Sequence, residues 1–192
     1  MLKHALALLS EPDGPVLRDF PRDAPDDSAA PSVPACPVDF GRRATELSET
    51  EKLFAALRLE FNSIHTWYTI AIEKNGRTAV GLSNLDFDEI LHLYENFIAG
   101  NDMEDLPPEP DLADLLRLAA EDLKSCYFEA ISSQPDQPVD VFSLSNWFWG
   151  DTHAASAINE VRKKCLTYES KPMKLTGKLL LVPRNQMFRF RS

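Results

Sequence analysis

Residues 48–76 read SETEKLFAALRLEFNSIHTWYTIAIEKNG, and this stretch decides the fold. Ser48 and Glu51 stand three apart, the capping-box spacing in which each side chain satisfies the other residue's orphan amide at a helix start. Leu53, Leu57, Phe61, Ile64, Tyr68 and Ile72 then fall within an arc of about 100° on a helical wheel. The helix runs to about Glu73, and Asn75-Gly76 ends it, glycine being the preferred left-handed stop. Thr78-Ala79-Val80-Gly81-Leu82 follows as a short extended piece, read as one strand with no evident partner.

The same pattern recurs downstream. A helix over about Leu85–Ala99 carries Phe87, Ile90, Leu91, Tyr94, Phe97 and Ile98 on one face and stops at Gly100. Another over Asp111–Ser132 aligns Leu112, Leu115, Leu116, Ala119, Leu123, Cys126, Tyr127 and Ala130. A third over Ser145–Tyr168 aligns Trp147, Ala154, Ile158, Val161 and Cys165. Leu175–Val182 fits a short helix or a strand. Long amphipathic segments with short connections predict a mainly α fold, a bundle of four to five helices. Residues 12–37 hold seven of the 14 prolines, a density no helix survives. The predicted layout is an N-terminal helix and proline-rich extended wrapping arm over 1–47, the bundle over 48–170, and a basic C-terminal segment over 171–192.

Composition narrows the classes. The chain has 192 residues, 44% of them hydrophobic, which suffices for a core and excludes disorder of the whole. A net charge of -10 argues against nucleic acid or an anionic membrane as partner of the body. The last 22 residues carry six Lys or Arg and no acid, so contact with an acidic patch on another chain or on the body itself is the simple expectation. No aromatic stacking platform accompanies those arginines, which disfavours nucleic acid. No signal peptide or ~18-residue apolar run is present, and Cys36, Cys126 and Cys165 lie far apart, as free thiols would in a reducing compartment. The expected location is cytoplasmic.

Candidate chemistry is sparse. Glu89-Ile90-Leu91-His92 has the Glu-x-x-His spacing of di-iron bundles, but no second copy exists, and both side chains lie about 150° from the apolar face. His153 also points away from its stripe, so no metal or other cofactor is expected. Cys126 and Cys165 sit on apolar faces as small core hydrophobes. Cys36, on the arm, is the accessible thiol, with no base placed near it. Four residues remain as a candidate pocket: His65 at a core boundary, Tyr68, Tyr127, and Asp151, about 40° from the apolar centre of its helix. For Asp151 the alternative is a helix N-cap at Gly150-Asp151.

Several segments together carry a resemblance. They are residues 14–25 (GPVLRDFPRDAP), 35–38 (ACPV), Trp67-Tyr68 with 76–81 (GRTAVG), 119–124 (AAEDLK), 146–150 (NWFWG) and 179–184 (LLLVPR). Their order and spacing resemble the C-terminal part of proteins related to the glycine/sarcosine/betaine reductase protein B family. That family's reductive chemistry belongs to a cysteine or selenocysteine in an upstream α/β region, and nothing here corresponds to it, so no catalytic residue carries over. The resemblance implies a non-catalytic accessory module, or the family's C-terminal helical part as a separate polypeptide, docked on a reductase-like subunit or on a second copy as a homodimer. The competing expectation is a small helical-bundle enzyme or ligand- or metal-binding protein using His65, Tyr68, Tyr127 and Asp151.

Overall fold

The computed structural model describes residues 7–8, 48–101, 103, 110–135 and 140–190. The proline-rich arm and Cys36 lie outside them. The described elements are helical, with no strand among the described residues. They are α1 (Glu49–Asn75), α2 (Phe87–Ala99), α3 (Leu112–Ser132), α4 (Val141–Asp151), α5 (His153–Thr167) and α6 (Lys171–Leu175). A π-helical turn (Thr176–Leu180) and a 3-10 helix (Arg184–Phe190) complete the chain. No helix among the described residues is long and apolar enough to cross a membrane.

The helix starts follow from local chemistry. The Ser48–Glu51 capping box forms, with the Ser48 N–H donating to Glu51 at 2.8 Å and the Glu51 N–H to Ser48 Oγ at 3.2 Å. The Ser48 hydroxyl, donating to the Glu51 carboxylate at 2.7 Å, and then the Ser48 N–H hold that carboxyl below its ordinary pKa. Asp86 and Glu89 form a second box at the start of α2. Asp111 and Asp140 cap α3 and α4. Gly76 and Gly100 end α1 and α2 in the left-handed conformation.

The expected fifth helix is two. At Thr152 the backbone opens to φ -106°, ψ 147°, and the side chain works on both sides of the break. Its hydroxyl donates to the Phe148 carbonyl at 2.7 Å and accepts from the Ala155 N–H at 3.1 Å. Thr152, rather than Asp151, is therefore the N-cap of α5. The expected strand at residues 78–82 is also replaced. Those residues form a loop whose N–H groups bond carboxylates of α3 instead of another strand. Of Leu175–Val182, residues 175–180 are helical, ending α6 and forming the π turn, and Leu181 and Val182 follow as a bend.

The core joins every helix of the bundle. Phe54 and Leu57 from α1, Tyr94 and Phe97 from α2, and Leu116 and Tyr127 from α3 are fully or almost fully buried. Phe148, Ile158, Val161 and Cys165 meet them from α4 and α5. The α1 stripe is rotated slightly from the predicted one: Phe54 and Ala71 are buried, whereas Leu53, Phe61 and Tyr68 are only partly covered. The Tyr94 hydroxyl reaches the Leu116 carbonyl at 3.1 Å, so even this deep polar atom has a partner.

Met173, Leu181 and Val182 of the basic segment join the same core. The segment closes on α5 through Gly177. A Cβ there would lie 3.0 Å from the Arg162 carbonyl oxygen, 3.0 Å from Cys165 Cβ and 3.1 Å from Leu166 Cδ2. Gly177→Ala therefore overpacks the joint by ~1–3 kcal/mol, against a helix-propensity gain of up to ~1 kcal/mol. The expected outcome is a thermal midpoint lower by roughly 2–4 °C per kcal/mol of net loss. An unchanged or raised midpoint in a calorimetric melt contradicts this close approach.

Candidate functional site

Three acids, Asp122 and Glu129 of α3 and Glu60 of α1, organise the polar junctions between the elements. Asp122 is 1% exposed and is the acceptor for the loop after α1. Its Oδ1 takes the N–H groups of Gly81 and Leu82, both at 2.9 Å. Its Oδ2 takes the Ser83 N–H at 2.8 Å and the Ser83 hydroxyl at 2.6 Å. Gly81 sits at φ 117°, a backbone state that side-chain-bearing residues avoid, which lets consecutive N–H groups turn toward one carboxylate. Two turns further along α3, Glu129 takes the Thr78 hydroxyl and the Ala79 N–H, each at 2.7 Å. Both carboxylates thus act as clamps on the loop.

Glu60 makes the second junction. It accepts from the Tyr127 hydroxyl at 2.7 Å, from the His153 N–H at 2.9 Å and from the Ala154 N–H at 3.3 Å. Those amides are orphan donors of the first turn of α5, so a side chain of α1 completes the cap that Thr152 begins. His153 Nδ1 lies 2.8 Å from Glu60 Oε2. An ionised carboxylate only accepts, so Nδ1 carries the proton. The bond to Glu60 raises the imidazole pKa, with burial opposing. His153 sits at the surface, as its place off the apolar stripe predicts, yet it is engaged by Glu60. Tyr127 itself is held well above the ordinary phenol pKa, by burial first and by Glu60 second.

The four candidate pocket residues divide among different surroundings. Tyr127 belongs to the Glu60 junction. The Tyr68 hydroxyl pairs with that of Thr78 at 3.1 Å. His65 is exposed, its ring 5.5 Å from that of Phe61. Asp151 is exposed at the last turn of α4 and not on the buried stripe. Of the four, only Tyr68 lines a cavity of about 210 Å³ between α1, α2, α3 and the clamped loop. Its other walls are Phe61, Val80, Leu85, Asp86, Phe87, Ile90, Asp122, Leu123 and Cys126.

Groups with nucleophilic potential are subdued. Burial pushes the thiols of Cys126 and Cys165 up to about 12, so both are neutral near pH 7. Glu89 is spent on its capping box, and His92 is an exposed neighbour of Glu95 at 3.9 Å. Among the described residues no group of three or more His, Cys, Asp or Glu side chains converges as metal ligands do. Beside the Glu60–His153 pair stands the Tyr127 phenol, which is buried and protonated.

A different kind of surface lies at the C-terminal segment. Leu175 and Leu179 are 50% and 47% exposed and stand one turn apart, with exposed Lys171 and Lys178 beside them. A groove of about 410 Å³ runs along this face, between Leu175 and Leu180 on one side and Asp111, Ala113 and Asp114 on the other. Lys174, on the same face, pairs with Glu169 at 3.0 Å.

No protein-family model, curated protein or solved structure matches the chain.

Proposed function

We propose that this chain is a non-catalytic helical accessory module that docks on another protein through its C-terminal face. The observation that carries the reading is the exposed Leu175–Leu179 pair set between Lys171 and Lys178. Other large apolar side chains are exposed too, among them Leu82, Val141, Phe142 and Phe188, but the Leu175–Leu179 pair stands among lysines on a chain whose net charge is -10. A basic, leucine-bearing strip on such a chain suits a partner surface that is both apolar and acidic, in which leucines fill pockets and lysines form the polar rim. The interior supports the same reading, because its acids are committed to holding the fold. The sequence resemblance to the protein B family points to a reductase-like subunit as that partner, with a second copy of the chain as the other candidate.

The test is the mass of the purified chain by light scattering, alone and mixed with the reductase-like subunit. The expected result is a defined complex that weakens as salt rises and is lost in Leu175→Glu/Leu179→Glu, while the variant keeps its helical circular dichroism. A defined homodimer lost in the same variant would assign the face to self-association. A wild-type chain that stays monomeric in both settings overturns the docking role.

A further inference from the structure

The cavity between α1, α2, α3 and the clamped loop is unrelated to the docking face, and its chemistry is specific enough to name an occupant. Its floor is buried Ile90, Leu123 and Cys126; Phe61, Tyr68 and Val80 rise around it, each half-buried. We propose that it is a binding site for one small, uncharged aromatic molecule of one or two fused rings bearing a single hydrogen-bond donor.

Size sets the first limit. An apolar cavity of roughly 150 Å³ holds benzene, whereas drug-sized ligands need roughly 300 Å³ or more. At about 210 Å³ the space fits a substituted ring or a small bicycle and excludes a long acyl chain. Rigidity is the second point. Phe61 and Phe87 stack with ring centroids 3.4 Å apart, and Asp122 and Glu129 fix the loop with six hydrogen bonds between them. The walls are therefore held in place before any ligand arrives, which lowers the entropic cost of binding.

Charge and hydrogen bonding set the class. Both Asp122 oxygens are saturated by the loop, so the carboxylate offers no vacant acceptor, and with Asp86 it repels anions. The Cys126 thiol stays neutral. The tyrosine is the exception. Thr78 gives its one hydroxyl proton to Glu129, so Tyr68 must be the donor in the 3.1 Å Tyr68–Thr78 bond. The Tyr68 oxygen then keeps acceptor capacity for a ligand N–H or O–H. A water in this space would lack the two to four polar partners it needs, so displacing it by an aromatic ring is favourable.

Methyl-labelled protein titrated with indole tests the proposal, with indole-3-acetate as an anionic probe of similar shape. The expected result is saturable shifts of the Ile90 and Leu123 methyls with a sub-millimolar dissociation constant, and binding of the acetate at least about tenfold weaker. Val80→Phe fills the space from the loop and Cys126→Met from α3; at least one such folded variant should weaken indole binding about tenfold or more. Absence of saturable shifts up to the solubility of indole overturns the proposal. So does equal binding of the anion, or indole binding that both folded filling variants leave unchanged.

Discussion

Asp122→Ala is expected to destabilise the chain by about 3 kcal/mol or more, lowering the melting midpoint by roughly 6–12 °C. The reasoning is one of partners. The carboxylate is 1% exposed and receives three backbone N–H groups and a hydroxyl from residues 81–83. Bonds to a charged acceptor are the stronger kind, and alanine leaves all four donors facing a void beside apolar side chains. Asp122→Asn separates charge from shape. Its amide offers one oxygen in place of two and turns an NH2 toward N–H groups that need acceptors, so most of the loss should persist. Hydrogen exchange at the Gly81, Leu82 and Ser83 amides reports the same event locally: exchange should accelerate there in both variants well before global unfolding. A loss below about 1 kcal/mol for Asp122→Ala contradicts the clamp.

Asp122 and Glu60 also show which part of the molecule is legible in the sequence. The helix bodies are, because capping boxes, apolar spacing and terminal glycines act within a few residues: Ser48 with Glu51 and Gly76 bound α1 as their spacing predicts. The helix break at Thr152 is less so. A Gly-Asp-Thr run inside a continuous apolar stripe permits either a helix or a cap, and the choice is made by Thr152 bonding Phe148 and Ala155 together. The polar junctions are legible only in part. Asp122 stands three after Ala119 and four before Cys126, and Glu60 stands three after Leu57 and four before Ile64. Each is an acid on a core-facing stripe, the signal that singled out Asp151. Their partners come from 39 to 41 positions away for Asp122 and up to 94 for Glu60, beyond the reach of any local pattern. Asp151 fails the same test because the stripe it was placed on ends one residue later, where the chain turns extended. The loop at 78–82 reads as a strand in the sequence for a related reason: its residues do satisfy N–H groups as a strand would, but on side chains of α3.

Glu60→Ala carries the second large effect, about 2–3 kcal/mol, because it uncaps α5 and strands the Tyr127 hydroxyl at one stroke. Glu60→Gln keeps an acceptor for Tyr127 and for the helix amides but removes the charge, so its loss should be about half as large. A double-mutant cycle with Tyr127→Phe isolates the 2.7 Å phenol bond; a coupling of about 1 kcal/mol is expected, and none at all would detach Tyr127 from the cap. The pH dependence follows from His153. Its pKa is raised above 6.5 by Glu60, so the folded state binds that proton more tightly than the unfolded chain. The charge contribution is whole below pH 6.5, as long as Glu60 stays ionised, and fades as pH climbs through the raised value. With the imidazole half exposed to solvent, it amounts to roughly 0.5 kcal/mol. Urea melts of wild type and Glu60→Gln should therefore diverge more at pH 6 than at pH 9, by about that amount. A gap that widens toward high pH would mean that Glu60 acts on the helix amides and Tyr127 without drawing on the His153 charge, and the cap would then be a neutral hydrogen-bond junction.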